Sequence, residues 1–441
     1  MKTIDLIVTP VTLIIILALA YLLKKYASHT ETAKYFYPAL LLKMVGAIGV
    51  GLIYQFYYGG GDTFTFSTHG ASHIYDAFIK DFSTGFKLLT ANGTYDAETY
   101  AYSSRIWAYR DESSYFVVRI AALFSLISFD AYSSIALWFA FVSFCGLWLM
   151  YQAFHKIYPE LKSKLAFAIF FIPTVFFWGS GILKDTITLG AVGFLVYAFI
   201  QVFFERRNML LNAVILIISA YVVLQVKLYV LLSLLPALII WFFLYRVGLI
   251  RNIGLKLLIG PLFLVFGAVI ALLAIQRVGQ TSKKYNIDQL AKTAQVTAYD
   301  IRYWTGKDAG SGYTLGDLDG TYWSMIKLAP SAINVALFRP YLWEVSNPLM
   351  LLSALEALGL LLITLYLFYS NKFIDIIAAL KVPLILFCLT FSIMFAFSVG
   401  ISTYNFGTLS RYRIVMVPFF LIALFLIDFH AKKRPRATRE E

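Results

Sequence analysis

The chain alternates between long apolar runs and short polar links. The first run extends from Leu6 to Leu23 and the second from Tyr37 to Tyr58, and similar runs recur along the rest of the chain. A membrane-spanning helix needs about 20 apolar residues, so counting runs of this length predicts about eleven spanning helices. The pattern therefore predicts an all-α polytopic membrane protein that forms a single integral membrane domain over residues 1–441.

Basic residues collect in alternate links. Lys24 and Lys25 follow the first run, Arg206 and Arg207 follow a later one, and a basic tail covers residues 429–441. Because short cytoplasmic links carry an excess of Lys and Arg, these links are predicted to be cytoplasmic. The first helix then runs inward and the second runs outward. In this orientation the remaining links lie on the outer face of the membrane.

Two long segments fall on the predicted outer face, at residues 59–130 and 276–346. Within the first, the apolar stretch from Tyr115 to Phe129 is short for a crossing and contains Arg119, which would be costly in lipid. We interpret it as an amphipathic helix that lies in the membrane interface. Long loops are usually functional, so the outer face is the predicted place of activity.

Composition supports the membrane class and argues against other partners. Of the 441 residues, 60% are hydrophobic and only 14% are charged, whereas soluble domains are about 25% charged. The net charge of +13 lies largely in the links, where it indicates topology rather than nucleic-acid binding. Cys145 and Cys388 lie in apolar runs, so neither a disulfide nor a reactive thiol is predicted.

The predicted outer face also collects the candidate chemistry. Asp62 follows three glycines in YYGGGDTFTF, directly after the second apolar run. Cations come to the same face from four other links; they are Lys184 in WGSGILKDT, Lys227 in LQVKLY, Arg339 in LFRPY, and Arg411 and Arg413 in NFGTLSRYR. Each has a simpler interpretation, because lysines and arginines near helix ends often extend to lipid headgroups and an acid after glycines can cap a helix. Their convergence on one face favours a functional site.

This combination resembles the membrane-embedded GT-C glycosyltransferases. The family includes protein mannosyltransferases, oligosaccharyltransferases and lipid A aminosugar transferases. The motifs GGGDTFTF, FFWGSGILKDT and GTLSRYRIVMVP are also similar to those of bacterial membrane proteins grouped with these enzymes or with polysaccharide polymerases. The family's acid usually follows the first helix and is often paired with a second acid, whereas Asp62 follows the second helix and precedes Thr63. This difference leaves metal use open.

The resemblance implies transfer of a sugar from a polyprenyl-phosphate donor to a sugar or protein acceptor at the periplasmic face. Asp62 would be the catalytic base, and Arg411 and Arg413 would bind the donor phosphate. Residues two apart on a helix point in different directions, so we expect at most one of these two arginines to face the site. We favour Arg411, because it lies further out, at the level of the lipid headgroups. Further phosphate-binding candidates are Lys184, Lys227 and Arg339, and candidates for lining the site are Asp185, Trp178, Tyr58, Tyr404 and Asn405.

Metal binding is a weaker expectation. Asp317 and Asp319 form a D-x-D in TLGDLDGTYW that suits Mg²⁺ or Mn²⁺, but a turn made by Gly and Asp explains the same residues. His69 and His73, four residues apart, lack an evident third ligand.

Other functions stay open at this point. The chain is similar in plan to oligosaccharide polymerases, ligases and oligosaccharyltransferases, and its outer loops would also suit a non-catalytic subunit of a membrane protein complex. A transporter is disfavoured, because no internal repeat is visible and Glu356 is the main acid within a predicted span.

Overall fold

A computed structural model of the protein describes residues 3–250, 289–304 and 311–433, together with scattered positions between 252 and 276. The described residues are mainly helical and contain no β-strand beyond an isolated bridge between Gly312 and Asn405. Seven of their helices are long and apolar enough to cross a membrane, or eight if the bent pair Phe406–Val415 and Val417–Lys433 forms one span. The predicted all-α polytopic class is confirmed, whereas the described part does not reach the predicted count of about eleven.

The chain divides into two compact units, Met1–Lys227 and Leu228–Glu441. The helices of the first unit are α1 (Asp5–Ala27), α2 (Ala33–Phe56), α3 (Asp62–Phe66), α4 (Ser72–Lys80), α5 (Phe82–Thr90), α6 (Tyr100–Ser103), α7 (Glu112–Ser128), α8 (Tyr132–Ile157), α9 (Lys162–Phe170), α10 (Pro173–Trp178), α11 (Lys184–Ile200) and the first part of α12 (Met209–Gly248).

Helices α1, α2 and α11 pack around α8. A Cβ added to Gly190 of α11 would lie 2.7 Å from the Cα of Ser143 in α8, so a small residue lets these two helices approach closely.

Helix α7 covers the stretch that the sequence predicts to lie in the interface. With 17 residues it is outside the set of spanning helices. It makes side-chain contacts with three helices in turn: Ser113 with Lys184 of α11, Phe116 with Tyr221 of α12, and Phe124 with Trp138 of α8. Helix α7 therefore contacts α8, α11 and α12 of the first unit.

The segment between α9 and α11 is broken. Helix α9 ends at Phe170, Pro173 begins the short α10, and residues 179–183 form an irregular, buried connection. This connection lies beside α2, since a Cβ on Gly181 would meet Val50 at 2.5 Å. Irregular backbone at membrane depth is tolerated only where it is buried in protein or lines a cavity. The chain between Lys164 and Lys184 is thus not one continuous helix.

In the second unit, the described residues include seven further helices. They are α13 (Leu290–Trp304), α14 (Tyr322–Phe338), α15 (Pro348–Ser370), α16 (Phe373–Ala379), α17 (Pro383–Thr403), α18 (Phe406–Tyr412) and α19 (Val417–Lys433). Helix α17 packs against both α14 and α19. The predicted outer segment 276–346 therefore contains helices α13 and α14. Its residues 277–288 and 305–310, and residues 434–441 of the predicted basic tail, lie outside the described residues.

Candidate functional site

Asp62 is presented by a turn that only glycines form without strain. Gly59, Gly60 and Gly61 have φ values of 69°, 147° and 125°, in the region that L-residues rarely adopt. A Cβ on Gly61 would also lie 2.7 Å from the ring of Tyr54. The turn ends α2 and makes the exposed Asp62 the first residue of α3. Three consecutive glycines thus place one carboxylate immediately beyond the end of a spanning helix.

The aromatic residues predicted near Asp62 meet at Tyr54. The ring of Tyr54 lies 5.3 Å from that of the exposed Tyr58 and 6.4 Å, edge to face, from that of the buried Trp178. Trp178 ends α10, so the broken segment contacts the base of the glycine turn. Helix α3 is also anchored, because Thr63 and Tyr132 share a buried hydrogen bond of 2.7 Å between their hydroxyl groups. Of the predicted site-lining residues of this unit, Tyr58 and Trp178 are brought together next to the turn.

Lys184 and Asp185 are neighbours in sequence but have different partners. Lys184 Nζ lies 3.3 Å from a carboxylate oxygen of Asp111 and donates to Ser113 Oγ at 2.7 Å. Burial alone would raise the pKa of Asp111, but the Lys184 ammonium and the hydroxyls of Ser114 and Ser113 outweigh it and lower the pKa. The Lys184 side chain is 23% exposed. Lys184 is thus more exposed than Lys227, the other cation of this unit that the sequence predicts to bind phosphate.

Lys227 forms a buried ion pair with Asp185. The two charged groups are 2.5 Å apart, and their side chains are 6% and 0% exposed. Asp185 lies in the first turn of α11, where the helix dipole favours a negative charge. Lys227 has non-helical backbone angles at the kink of α12. The ion pair therefore joins the kink of α12 to the start of α11. The expectations that Lys227 binds phosphate and that Asp185 lines the site stay predictions.

Arg411 and Arg413 have different surroundings in the second unit. Arg413 is fully buried and donates to Glu356 at 3.2 Å, to the Ser353 carbonyl at 3.2 Å and to the Arg339 carbonyl at 3.1 Å. Arg411 is partly exposed in α18. This difference agrees with the expectation that at most one of the two faces a site. Arg413 is a structural residue, so its predicted role in phosphate binding is set aside.

Arg339 is held between an acid and several aromatic rings. Its Nε donates to both carboxylate oxygens of Glu344, at 3.1 and 3.0 Å, and Nη2 donates to the same group. The guanidinium lies 5.3 Å from the ring centre of Phe406 and 5.8 Å from that of Tyr313. Tyr404 stacks on Tyr313 with centroids 5.5 Å apart. The described part of this unit thus brings Arg339 and Tyr404 to one cluster of aromatic rings.

Asn405 joins the loop 311–321 to the start of α18. Its side chain accepts from the Thr408 amide at 3.0 Å, which caps the helix, and donates to Ser311 Oγ at 3.0 Å. The backbone on either side pairs with the same loop, because Tyr313 N donates to the Tyr404 carbonyl at 3.1 Å. The Asn405 side chain thus caps α18 and binds the neighbouring loop. These local contacts account for an asparagine at this position without a role in lining the site.

The D-x-D sequence forms a turn. Both Asp317 and Asp319 are exposed, and Asp319 accepts from the Thr321 amide at 2.8 Å and from its hydroxyl at 2.7 Å. Hydrogen bonds from Ser324 and Thr321 lower the pKa of Asp319 to about 2. Within the residues that the structure describes, no group of three or more His, Cys, Asp or Glu side chains is placed to hold a metal ion.

One residue with functional potential was missed at the sequence level. Lys43 lies midway along α2, is 2% exposed, and donates to Ser143 Oγ at 2.9 Å and to the Gly179 carbonyl. A Cβ on Gly179 would lie 3.0 Å from Lys43 Nζ, so a small residue is needed there. The signal was a lone lysine inside ALLLKMVGAIG, because an ionisable residue within a span is a functional candidate by default.

The Arg339–Glu344 pair predicts a pH-dependent stability. Burial would raise the pKa of Glu344, but hydrogen bonds from Arg339 and the Tyr341 amide outweigh it and lower the pKa. A lowered pKa stabilises the fold above the unfolded value of about 4.3, and this stabilisation is lost as pH falls. Glu344→Gln should therefore lower stability by about 1.5–3 kcal/mol at pH 7. Thermal unfolding from pH 7 to pH 3.5 should show the difference from wild type shrinking; a constant difference would contradict the assignment.

Comparison of the chain with protein-family models, with curated proteins and with solved structures finds no match.

Proposed function

We propose that the protein is a GT-C-type glycosyltransferase that transfers a sugar from a polyprenyl-phosphate donor to an acceptor at the periplasmic face of a bacterial inner membrane. The observation that carries the proposal is the presentation of Asp62. Its carboxylate is exposed on the first residue of α3, after three positive-φ glycines at the end of a spanning helix. A turn of this kind fixes a carboxylate at the membrane surface, where a lipid-linked donor and a water-soluble acceptor meet.

The chemistry assigned to Asp62 is general base catalysis. The carboxylate takes the proton of an acceptor hydroxyl as that oxygen bonds to the anomeric carbon of the donor sugar. The bond from this carbon to the phosphate oxygen breaks, and its electron pair leaves with the polyprenyl phosphate. Such proton transfer contributes roughly 100- to 10,000-fold to a rate.

Cations support the leaving group in this proposal. Negative charge grows on the phosphate as the bond breaks, and a guanidinium can meet it with two parallel hydrogen bonds. Arg411 keeps the role of main phosphate ligand because it is partly exposed, while Arg413 is buried. Lys184 and Arg339 are also partly exposed and contact Asp111 and Glu344; they stay further candidates for binding the phosphate.

The proposal assigns no role to Mg²⁺ or Mn²⁺. A hard cation needs several oxygen ligands, whereas one carboxylate oxygen of Asp319 accepts two hydrogen bonds from Thr321. Asp319 thereby closes the turn at Gly320, which has a φ of 82°. The weaker expectation that Asp317 and Asp319 bind a metal ion stays a prediction.

A specific observation favours transport as a second candidate function. Lys43 is buried midway in a span and contacts the irregular connection at residues 179–183. Broken helices and charges at membrane depth are features of transporters, and neither had been expected from the sequence. The two candidates differ in one outcome: a transferase cleaves the bond between sugar and phosphate, whereas a transporter leaves its cargo intact.

The test is a donor-cleavage assay with the full chain in lipid nanodiscs. Polyprenyl phosphates carrying different radiolabelled sugars are added with candidate sugar or peptide acceptors, and the label on lipid and acceptor is separated. We expect one donor to be consumed with transfer of the label to an acceptor. The size of the transferred unit distinguishes single-sugar transfer from polymerase, ligase or oligosaccharyltransferase activity. Intact donors across the panel would count against the proposal.

A further inference from the structure

A cavity lies between α7, α8, α11 and α12 of the first unit. Its volume is about 320 Å³, and its walls are largely aliphatic and aromatic, with Phe124, Phe139 and Phe194 among them. Val142 and Ile218 also line it, and these side chains are 44% and 58% exposed. The cavity therefore opens on the surface of helices that are long and apolar enough to span a membrane. In a bilayer, such an opening faces hydrocarbon chains.

The hydroxyl groups in the cavity wall are already satisfied. Ser143 Oγ accepts from Lys43, Thr186 Oγ1 donates to the Trp178 carbonyl, and Ser219 Oγ donates within its own helix. Nothing in the wall therefore requires a polar molecule in the interior. The chemistry of the wall matches a hydrocarbon chain.

Arg119 on α7 precedes Ile120 of the cavity wall. The residue is partly exposed, and its guanidinium lies 5.2 and 5.5 Å from the ring centres of Tyr115 and Phe116. Across the described residues it makes no hydrogen bond or ion pair, and its Nε is buried without a partner. An anion would satisfy this group, and phosphate matches its forked geometry.

From the cavity and Arg119 together, we infer that this is a binding site for an anionic phospholipid. One acyl chain fills the cavity, and the headgroup phosphate binds Arg119. The lining of α11 extends from Thr186 to Phe194, which is about 12 Å along a helix. One leaflet of hydrocarbon is about 15 Å thick, half of the bilayer core. The cavity thus matches a chain confined to one leaflet rather than a much longer polyprenyl chain, and the inference is independent of the proposed transferase activity.

The test measures lipid binding to the purified full chain by native mass spectrometry. The probes are phosphatidylglycerol and phosphatidylcholine with identical acyl chains, so that only the headgroup charge differs. Arg119→Gln removes the cation, with Arg110→Gln, an exposed arginine of the preceding loop, as its matched control. Ile218→Trp fills the cavity, with Leu210→Trp as its control, because Leu210 is 83% exposed on the same helix and outside the lining.

We expect phosphatidylglycerol to bind about tenfold more tightly than phosphatidylcholine, because the choline ammonium of phosphatidylcholine offsets the phosphate charge that Arg119 meets, whereas phosphatidylglycerol carries no such cation. Arg119→Gln should abolish this preference, Ile218→Trp should weaken both lipids, and the two controls should behave as wild type. If Arg119→Gln does not fold, Arg119→Lys should retain part of the preference. Equal binding of the two lipids in wild type, or an unchanged preference in Arg119→Gln, would overturn the inference. Displacement of phosphatidylglycerol by a lower concentration of polyprenyl phosphate would overturn the choice of a phospholipid.

Discussion

Asp62→Asn is expected to lower sugar transfer by roughly 100- to 10,000-fold while leaving the protein folded. The amide has the shape of the carboxylate but does not accept the proton of the acceptor hydroxyl. Because Asp62 is exposed at the start of a short helix, the change should have little effect on stability. Single-turnover transfer of radiolabel from the donor identified in nanodiscs measures the loss in the chemical step.

The matched control for this prediction is Asp76→Asn. Asp76 is also an exposed acid of the first outer segment and lies on α4, so its substitution removes the same charge without touching the glycine turn. It should keep wild-type turnover. Equal rates for wild type and Asp62→Asn would return Asp62 to the simpler role of a helix-terminal acid.

Arg413→Ala should destabilise the protein by about 3–5 kcal/mol, because it leaves the Glu356 carboxylate buried without its counter-ion. The two side chains are 0% and 3% exposed. The same change also removes donors to the carbonyls of Ser353 and Arg339. The free energy of unfolding in mixed micelles measures the effect.

A double substitution separates charge burial from simple loss of packing. Replacing a buried ion pair by apolar residues of similar volume is often neutral or stabilising, so Arg413→Met with Glu356→Leu should recover most of the stability lost in Arg413→Ala. Lys327→Ala is the control and should change stability little, because Lys327 is an exposed cation of the same unit. A double variant as unstable as Arg413→Ala would contradict the role assigned to the charge pair.

The long helices were predictable because run length and hydrophobicity alone decide them. The predicted runs Leu6 to Leu23 and Tyr37 to Tyr58 correspond to helices Asp5–Ala27 and Ala33–Phe56. The break between α9 and α10 was not predictable in the same way, because hydropathy does not show where Pro173 begins a new helix. Whether a proline kinks a helix or begins a new one depends on what satisfies the freed backbone groups.

The candidate site was predictable only where local sequence determines geometry. Three glycines in a row indicated a turn before Asp62, and all three have positive φ. Pairings between distant residues carry no such local signal. Lys227 pairs with Asp185, 42 residues earlier, and Arg413 with Glu356, 57 residues earlier. Both cations therefore looked like candidates for phosphate binding, although their charges are neutralised inside the protein.

The most direct test of the central proposal follows a doubly labelled donor in sealed liposomes that contain the purified protein. The sugar carries one radiolabel and the polyprenyl chain another, so cleavage and movement are measured in the same sample. The proposed transferase should separate the two labels, with the sugar appearing on an acceptor and the chain as polyprenyl phosphate, and Asp62→Asn should prevent the separation. Labels that stay joined while the donor crosses the bilayer would contradict the account and favour transport instead.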